Sequence, residues 1–534
     1  MSLMSSAHSA WRTADVRVAE AVRAQARGRL AEATELLADA LKIDNQNSQA
    51  LHLLGNIRRR QQKADDARAL LLAAHAERPL DARILNDLGL ANQALGRVAE
   101  ALNNFENAVA CDPQAVGAAL NRSNALAKLN RTDEAIAGFK TLAEEHDDRV
   151  DVVANLSAVL EADGQFKAAA ATVKEGLKLD SKHTQLSLAA ARLERRFNRL
   201  TTAQKRLSSL LKREQGGPSE AVVQNELAHI FNASGDYVKA ADAFERTNQL
   251  TRRRIRGQFT RTAARQELSD GIRDAIAADL APRPSNTKPT LPSPRFVMGA
   301  PGAGTVDIAR RLRKYTDATV LLETSPISAM EHLWQRGRPL NDQELALMRQ
   351  HYWAIADQLS ADGKQSRYVD VATGNITRIH RILALFPDAR FVMLVRHPAD
   401  LALACWTQMY TPSSLASLSL EMRDCVWLAE QATAFGRRLA RSLGDALRLV
   451  RYEEFAADPS VVTSAVLDHL HLPAKPEIQA READFREGLK PGSWLNYWPK
   501  LKDFRSQLLS VCEQAGYPFT PPVDNAYGVE SRCA

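Results

Sequence analysis

The sequence predicts an α + α/β chain, a helical solenoid followed by an α/β domain built around a glycine-rich loop. Three observations predict it. Alanine recurs at Ala33, Ala67, Ala101, Ala135, Ala169 and Ala203, always 34 residues apart. Five prolines, Pro282, Pro284, Pro289, Pro292 and Pro294, then crowd into thirteen residues. Beyond them the apolar run Arg295-Phe296-Val297-Met298 opens into Gly299-Ala300-Pro301-Gly302-Ala303-Gly304-Thr305, after which Ile308 and Leu312 keep helical spacing.

Size and composition set the frame. A chain of 534 residues exceeds the roughly 250–300 residues at which single cores stop growing. Hydrophobic residues make up 45% and charged residues 25%, which fits a globular protein and excludes a disordered one. The net charge of +7 mildly favours an anionic ligand. The basic residues are scattered, without a basic stripe and interleaved aromatics, so no nucleic-acid partner is expected. Five cysteines without close pairs suit a reducing compartment. No stretch reaches the length of a membrane span and Met1–Glu20 has no apolar signal core, so a cytoplasmic location is expected. Cys405 reads as an apolar filler. His469 and His471 are poorly spaced for a metal, and no metal is expected.

The repeat has three columns in one register. A large apolar residue follows each alanine by four places: Leu37, Leu71, Phe105, Phe139, Val173 and Leu207. A small one precedes it by twelve: Ala21, Gly55, Gly89, Ser123, Ser157 and Ala191. Small residues let two antiparallel helices cross closely, and the bulky residue is expected to fill the gap between successive hairpins. Gly28, Gly96, Gly164 and Gly235 fall where the first helix turns into the second. A seventh unit (Ala228, Ala240, Phe244) arrives three residues late, after Gly216-Gly217-Pro218. These columns resemble the tetratricopeptide repeat (TPR) family across residues 14–254, about seven repeats. The resemblance implies a solenoid whose concave face, lined by first helices, holds a polypeptide or protein partner.

Residues 255–294 read as a helical and Pro-rich linker. Arg252, Arg253, Arg254 and Arg256 form either a phosphate-binding patch or a solvated helix end. The α/β domain is expected over 295–520. Strand, glycine-rich loop and helix together present backbone N–H groups to a phosphate. The spacing is G-x-x-x-x-G, but Thr305 stands where an ATP- or GTP-hydrolysing loop has lysine.

About ninety residues on, Phe391-Val392-Met393-Leu394-Val395 reads as a buried strand followed by Arg396-His397-Pro398-Ala399-Asp400. The two motifs together resemble the sulfotransferases, specifically the bacterial type with N-terminal tetratricopeptide repeats. The resemblance implies a P-loop-like fold with a parallel sheet and 3′-phosphoadenosine 5′-phosphosulfate (PAPS) as donor co-substrate. Gly299, Gly302, Ala303, Gly304 and Thr305 would hold the phosphosulfate, and Arg396 the 3′-phosphate through its planar fork. Arg451-Tyr452-Glu453-Glu454-Phe455 resembles a further strand and turn of the family. Arg486-Glu487-Gly488-Leu489-Lys490-Pro491-Gly492-Ser493-Trp494 resembles its C-terminal loop and adds Lys490, Gly492 and Trp494 to the nucleotide site. Glu323 lies where tyrosylprotein-type enzymes place a carboxylate general base, and a surface carboxylate is the plainer reading. His397 reads as a polar loop residue.

The first loop departs from the family's P-R-S-G-T-T. Gly302 replaces the arginine, Ala303 the serine and Val306 the second threonine. Ala404 replaces a serine of the second motif. Asp370-Val371-Ala372-Thr373-Gly374-Asn375 aligns with the family's D-K-x-P-x-N, and Val371 stands in the lysine's place. Losing a preorganised donor of this kind costs about two to three powers of ten in rate. Two functions therefore stand. One is a PAPS-dependent sulfotransferase acting on a hydroxyl of a protein or other large acceptor, with Arg310, Lys314 or Lys490 replacing the lost cation. The other is a catalytically silent, sulfotransferase-like scaffold for protein interaction.

Overall fold

The structure, a computed structural model, describes residues 2–129, 131–257, 259–278, 293–323, 325–330, 333–334, 340–359, 367–410, 417–476 and 489–522. The chain divides into two compact units, Met1–Asp180 and Ser181–Ala534.

The first unit is five antiparallel helical hairpins, running from Ser2–Ala26 with Leu30–Ile43 to Val150–Ala162 with Phe166–Leu179. Its alanine column is wholly buried, and so is the bulky column four residues later. A Cβ on Gly89 would lie 2.4 Å from the Phe105 ring, and one on Gly55 2.8 Å from Leu71 Cγ. Leu71 and Phe105 thus meet the small residue of their own hairpin, and Leu37 and Leu71 also pack with residues of the next hairpin, where the sequence places the gap they fill. The turn between paired helices needs a left-handed residue. Gly28, Gln62, Gly96 and Gly164 supply it with φ of 76°, 61°, 75° and 82°. Side chains on neighbouring first helices also meet: His52 and Asn56 both reach Asp87 Oδ2 at 2.7 Å, and Asn121 donates to Asn86 at 2.8 Å.

The second unit opens with two more hairpins, Thr184–Arg196 with Leu200–Glu214 and Glu220–Ala233 with Tyr237–Ile255. Asn198 takes the left-handed position of the first (φ 58°) and Gly235 that of the second (φ 81°). The α/β portion holds a five-stranded parallel sheet in the order β2-β3-β1-β4-β5. The strands are β1 (Arg295–Gly299), β2 (Thr319–Leu322), β3 (Tyr368–Val371), β4 (Arg390–Val395) and β5 (Leu447–Arg451). Residues 296–299, 368–371 and 391–394 are continuously buried, as a parallel sheet covered on both faces requires. From β1 the chain runs outward through β2 and back to β3, then crosses to β4 on the other side. The crevice at the carboxyl end of β1 is therefore a topological switch point, where open α/β sheets bind ligands.

The last hairpin packs directly on this portion. Asn225 Nδ2 donates to Thr407 O at 3.1 Å and Asn248 Nδ2 to Trp406 O at 3.0 Å, capping the end of helix Pro398–Thr407. All ten residues of that helix are buried. Of the arginine cluster, Arg253, Arg254 and Arg256 are exposed, whereas Arg252 donates to Leu420 O and pairs with Glu421. The expected helix after the repeats forms over Arg261–Ala277. Pro282, Pro284, Pro289 and Pro292 lie outside the described residues.

Candidate functional site

Residues that follow β1, β4 and β5 meet at the switch point: Gly304, Arg396 and Tyr452. Gly299 closes β1 against β4, and a Cβ there would stand 3.1 Å from Leu394 O. Gly302 and Gly304 follow at φ of 83° and 103°, conformations that L side chains rarely adopt. Gly304 caps helix Thr305–Tyr315, and a Cβ on it would lie 2.3 Å from the Tyr452 ring. The Ala303 N–H is used internally on Ala300 O at 3.0 Å. Among the described residues, the N–H groups of Gly302, Gly304, Thr305 and Val306 meet no protein acceptor. These are the N–H groups that a loop of this spacing would offer to a phosphate.

Arg396 ends β4 beside this loop and is 3% exposed. Its Nη1 donates to Gly302 O at 3.1 Å and its Nη2 to Leu489 O at 2.6 Å, joining the two loops. Its guanidinium lies 4.6 Å over the Tyr452 ring. Its Nε is buried and, among the described residues, has no hydrogen-bond partner. A buried donor left without an acceptor costs about 1–3 kcal/mol, so an anion reaching it would be stabilised.

Asp400 organises the third element. Its carboxylate accepts from the N–H of Gly492 at 2.6 Å and of Trp494 at 3.0 Å. Gly492 turns at φ 82°, Trp494 is buried, and Lys490 is exposed, with its carbonyl accepting from Ser493 N. The Trp494 ring stacks on His397 with centroids 5.2 Å apart. His397 is 6% exposed rather than a polar loop residue, because Trp494, Tyr517 and Phe519 enclose it. Arg486, Glu487 and Gly488 lie outside the described residues. Cys405 Sγ donates to Pro301 O at 2.8 Å, and burial pushes its thiol up to about 12. That thiol is a packing group, as the sequence suggests, not a nucleophile.

Glu323 follows β2 with φ 55°, a conformation uncommon for a side-chain-bearing residue. Its carboxylate accepts from Thr373 N at 3.2 Å and from Thr373 Oγ1 at 3.4 Å, on the segment after β3. The residue is open to solvent on one side. The atoms packed around the carboxyl still raise it above the ordinary carboxylate value, against the lowering effect of the two Thr373 bonds. Behind it, Asp370 is fully buried and bonded to Ser325, Asn375 and Tyr352. Burial pushes Asp370 up to about 7. Thr373 also lines a pocket of about 60 Å³ with Ala300, Pro301 and Arg378.

Residues 294–476 match the sulfotransferase family model, and tetratricopeptide-repeat models match residues 52–116, 93–160 and 188–249. The chain joins tetratricopeptide repeats to a sulfotransferase-family domain. No curated protein matches the chain. Among solved structures it resembles a tetratricopeptide repeat protein from Parabacteroides merdae ATCC 43184 at 18% identity and TM-score 0.39, covering 45% of this chain and 93% of that one. Others are a thermophilic tetratricopeptide protein of Thermus thermophilus (22% identity, TM-score 0.29, 34% and 98% covered) and PilF of Pseudomonas aeruginosa (18%, 0.35, 40% and 98%).

In the sulfotransferase domain the packing and backbone conformation at Gly302 work against an arginine there. A Cβ there would lie 3.0 Å from Ala404 Cβ and 3.1 Å from the Cys405 nitrogen, in a backbone conformation already hostile to it. Gly302→Arg is therefore expected to lose roughly 1–3 kcal/mol of stability, from left-handed strain and overpacking. Denaturant titration checks this, and an unchanged midpoint would show that the loop opens freely. Of the residues considered as replacements for the lost cation, Lys314 sits 5.6 Å over the Tyr315 ring, Arg310 is half-buried on the same helix, and Lys490 is exposed. The sequence reading did not single out Arg378, one turn into the helix after β3, although it lines the pocket beside Thr373. Only its position relative to Val371, the site of the missing lysine, could have signalled it.

Proposed function

We propose that the protein is a PAPS-dependent sulfotransferase that transfers a sulfuryl group to a hydroxyl of a polypeptide or other large acceptor. One observation carries this reading most directly: the buried, unpartnered Nε of Arg396 stands beside a glycine loop with free N–H groups. The residues present fit the nucleotide. The loop N–H groups and the Thr305 hydroxyl would hold the 5′-phosphosulfate, and Arg396 the 3′-phosphate, with Gly492 and Trp494 held alongside by Asp400. PAPS supplies an activated sulfuryl group on a phosphate leaving group. Glu323 accepts the proton of the acceptor hydroxyl as its oxygen forms the bond to sulfur, and the bond from sulfur to the phosphate oxygen breaks in line. The loop donors stabilise charge as it builds on the departing phosphate. The row His52, Asn56, Asp87, Asn86 and Asn121 on the first helices offers a polypeptide polar partners. A cytoplasmic location belongs to the same proposal, supported by the free thiols of Cys405, Cys425 and Cys512. Among the described residues, no helix is long and apolar enough to cross a membrane.

A second reading has its own support. Both terminal nitrogens of Arg396 are bound to carbonyls and the loop has no cation, which suits a catalytically silent scaffold. Calorimetric titration with 3′-phosphoadenosine 5′-phosphate separates the two. Micromolar binding is expected, weakened at least tenfold by Arg396→Ala. No binding by the wild-type protein would overturn the enzyme reading and leave the scaffold.

A further inference from the structure

We infer that the seventh repeat is part of the nucleotide site: Asn225 and Asn248 are positioning residues that hold the last turn of helix Pro398–Thr407 against the glycine loop. The inference rests on the sulfotransferase reading for its ligand, whereas the contacts themselves do not depend on it. A helix leaves its last four carbonyls without partners of its own, and this one ends in the core with all ten residues buried. Its Thr407 hydroxyl turns back to Leu403 O at 3.0 Å. The carbonyls of Trp406 and Thr407 go instead to the repeat, through Asn248 Nδ2 at 3.0 Å and Asn225 Nδ2 at 3.1 Å. The same turn also meets the glycine loop. Cys405 Sγ donates to Pro301 O at 2.8 Å, and a Cβ on Gly302 would stand 3.0 Å from Ala404 Cβ. Residues 404–407 therefore join the last repeat to the loop within a single helical turn.

Asn248 departs from the repeat pattern. It stands eight residues after the column alanine Ala240, where the first and the third to sixth units carry Leu41, Val109, Ala143, Leu177 and Leu211. An amide in an apolar column is costly unless it is bonded, and Asn248 is 6% exposed with its bond directed at helix Pro398–Thr407. Apolar packing surrounds the two amides. The column residue Phe244 lies 5.9 Å from the Trp406 ring and 6.4 Å from that of Tyr497, whose hydroxyl donates to Asn232 at 2.9 Å. A turn bonded and packed in this way has few alternative positions, so its place is set by the repeat. Leucine at either position keeps the branched shape and removes the donor, leaving a carbonyl buried without a partner. The turn then shifts, and the loop that offers its N–H groups to the nucleotide loses its backing.

The test is calorimetric titration of 3′-phosphoadenosine 5′-phosphate into the full-length wild type, Asn225→Leu, Asn248→Leu and Leu210→Ala. Hydrogen exchange of residues 299–306 is read on the same proteins without ligand. Leu210→Ala opens a cavity in the sixth repeat, where Leu210 is buried, and reports general loosening. Each asparagine variant is expected to weaken nucleotide binding roughly three- to tenfold, up to the worth of one buried hydrogen bond. Leu210→Ala should stay within about twofold of wild type, too little for one lost hydrogen bond. Exchange of 299–306 should quicken in the asparagine variants and stay unchanged in Leu210→Ala. Asn248→Ala replaces Asn248→Leu if the leucine variant does not fold. A merely structural role would lower the unfolding midpoint and leave the affinity of the folded molecules unchanged, which would overturn the inference. So would a like weakening by Leu210→Ala. Wild type that binds no nucleotide sinks the enzyme reading, and unaltered exchange in the asparagine variants sinks the hold on the loop whether or not nucleotide binds.

Discussion

Gly304→Ala is expected to lower the stability of the second unit by roughly 2–4 kcal/mol, the sum of left-handed strain and overpacking. Gly304 holds φ at 103°, and its added Cβ would stand 2.3 and 2.4 Å from two carbons of the Tyr452 ring. That ring cannot retreat easily. Its face carries the Arg396 guanidinium and its hydroxyl donates to Asp307 at 2.8 Å. Denaturant unfolding measures the loss, and the double variant Gly304→Ala/Tyr452→Ala locates it. If the ring contact is the cause, the two changes should couple, with the double variant losing less than the sum. Simple additivity, or a loss below about 0.5 kcal/mol, would count against a close-packed loop. Nucleotide binding should fall with the same variant, because the N–H groups of Gly304 and Thr305 share the distorted turn.

Glu323→Gln is expected to lower kcat about 10²–10⁴-fold, the range for removing a general base, with nucleotide affinity unchanged. Glutamine keeps the size and can still accept from Thr373, so the loss would report the charge alone. The pH profile gives an independent reading. A base works only when ionised, so wild-type activity should fall as pH drops through the Glu323 pKa. Burial raises that pKa above the ordinary 4.5, so the acid limb should lie above that value. The limb should vanish in the variant's residual activity. A kcat within threefold of wild type, or an acid limb that survives the substitution, would remove Glu323 from the chemistry.

The repeat region was legible because its constraints are local and recur. A crossing of two helices needs a small residue opposite a large one, and the next hairpin repeats the need 34 residues later. Even there the sequence hid something. Gln62 and Asn198 take the left-handed turn position that glycine fills in other units, since a polar residue can bear that conformation at modest cost. The glycine loop was legible for a similar reason: Gly302 and Gly304 hold left-handed backbone conformations, and a Cβ on Gly299, Gly302 or Gly304 would crowd its neighbours. The site as a whole was only partly so. Arg396 was picked out by its place after β4. Its bonds to Gly302 and Leu489, 94 and 93 residues away in the chain, were not visible.

The sequence by itself determined the repeat period, the left-handed glycines and the order of strand, loop and helix, because each follows from backbone geometry within a few tens of residues. Tertiary structure alone decided the rest. It set His397 in an aromatic stack, tied Arg396 between two loops, and bonded the end of helix Pro398–Thr407 to the last hairpin. It also placed Ala404 against Gly302, which makes the missing arginine a matter of packing as well as of chemistry. These are pairings across about a hundred residues or more. No local pattern carries them, since they depend on which faces the buried sheet and the last hairpin bring together.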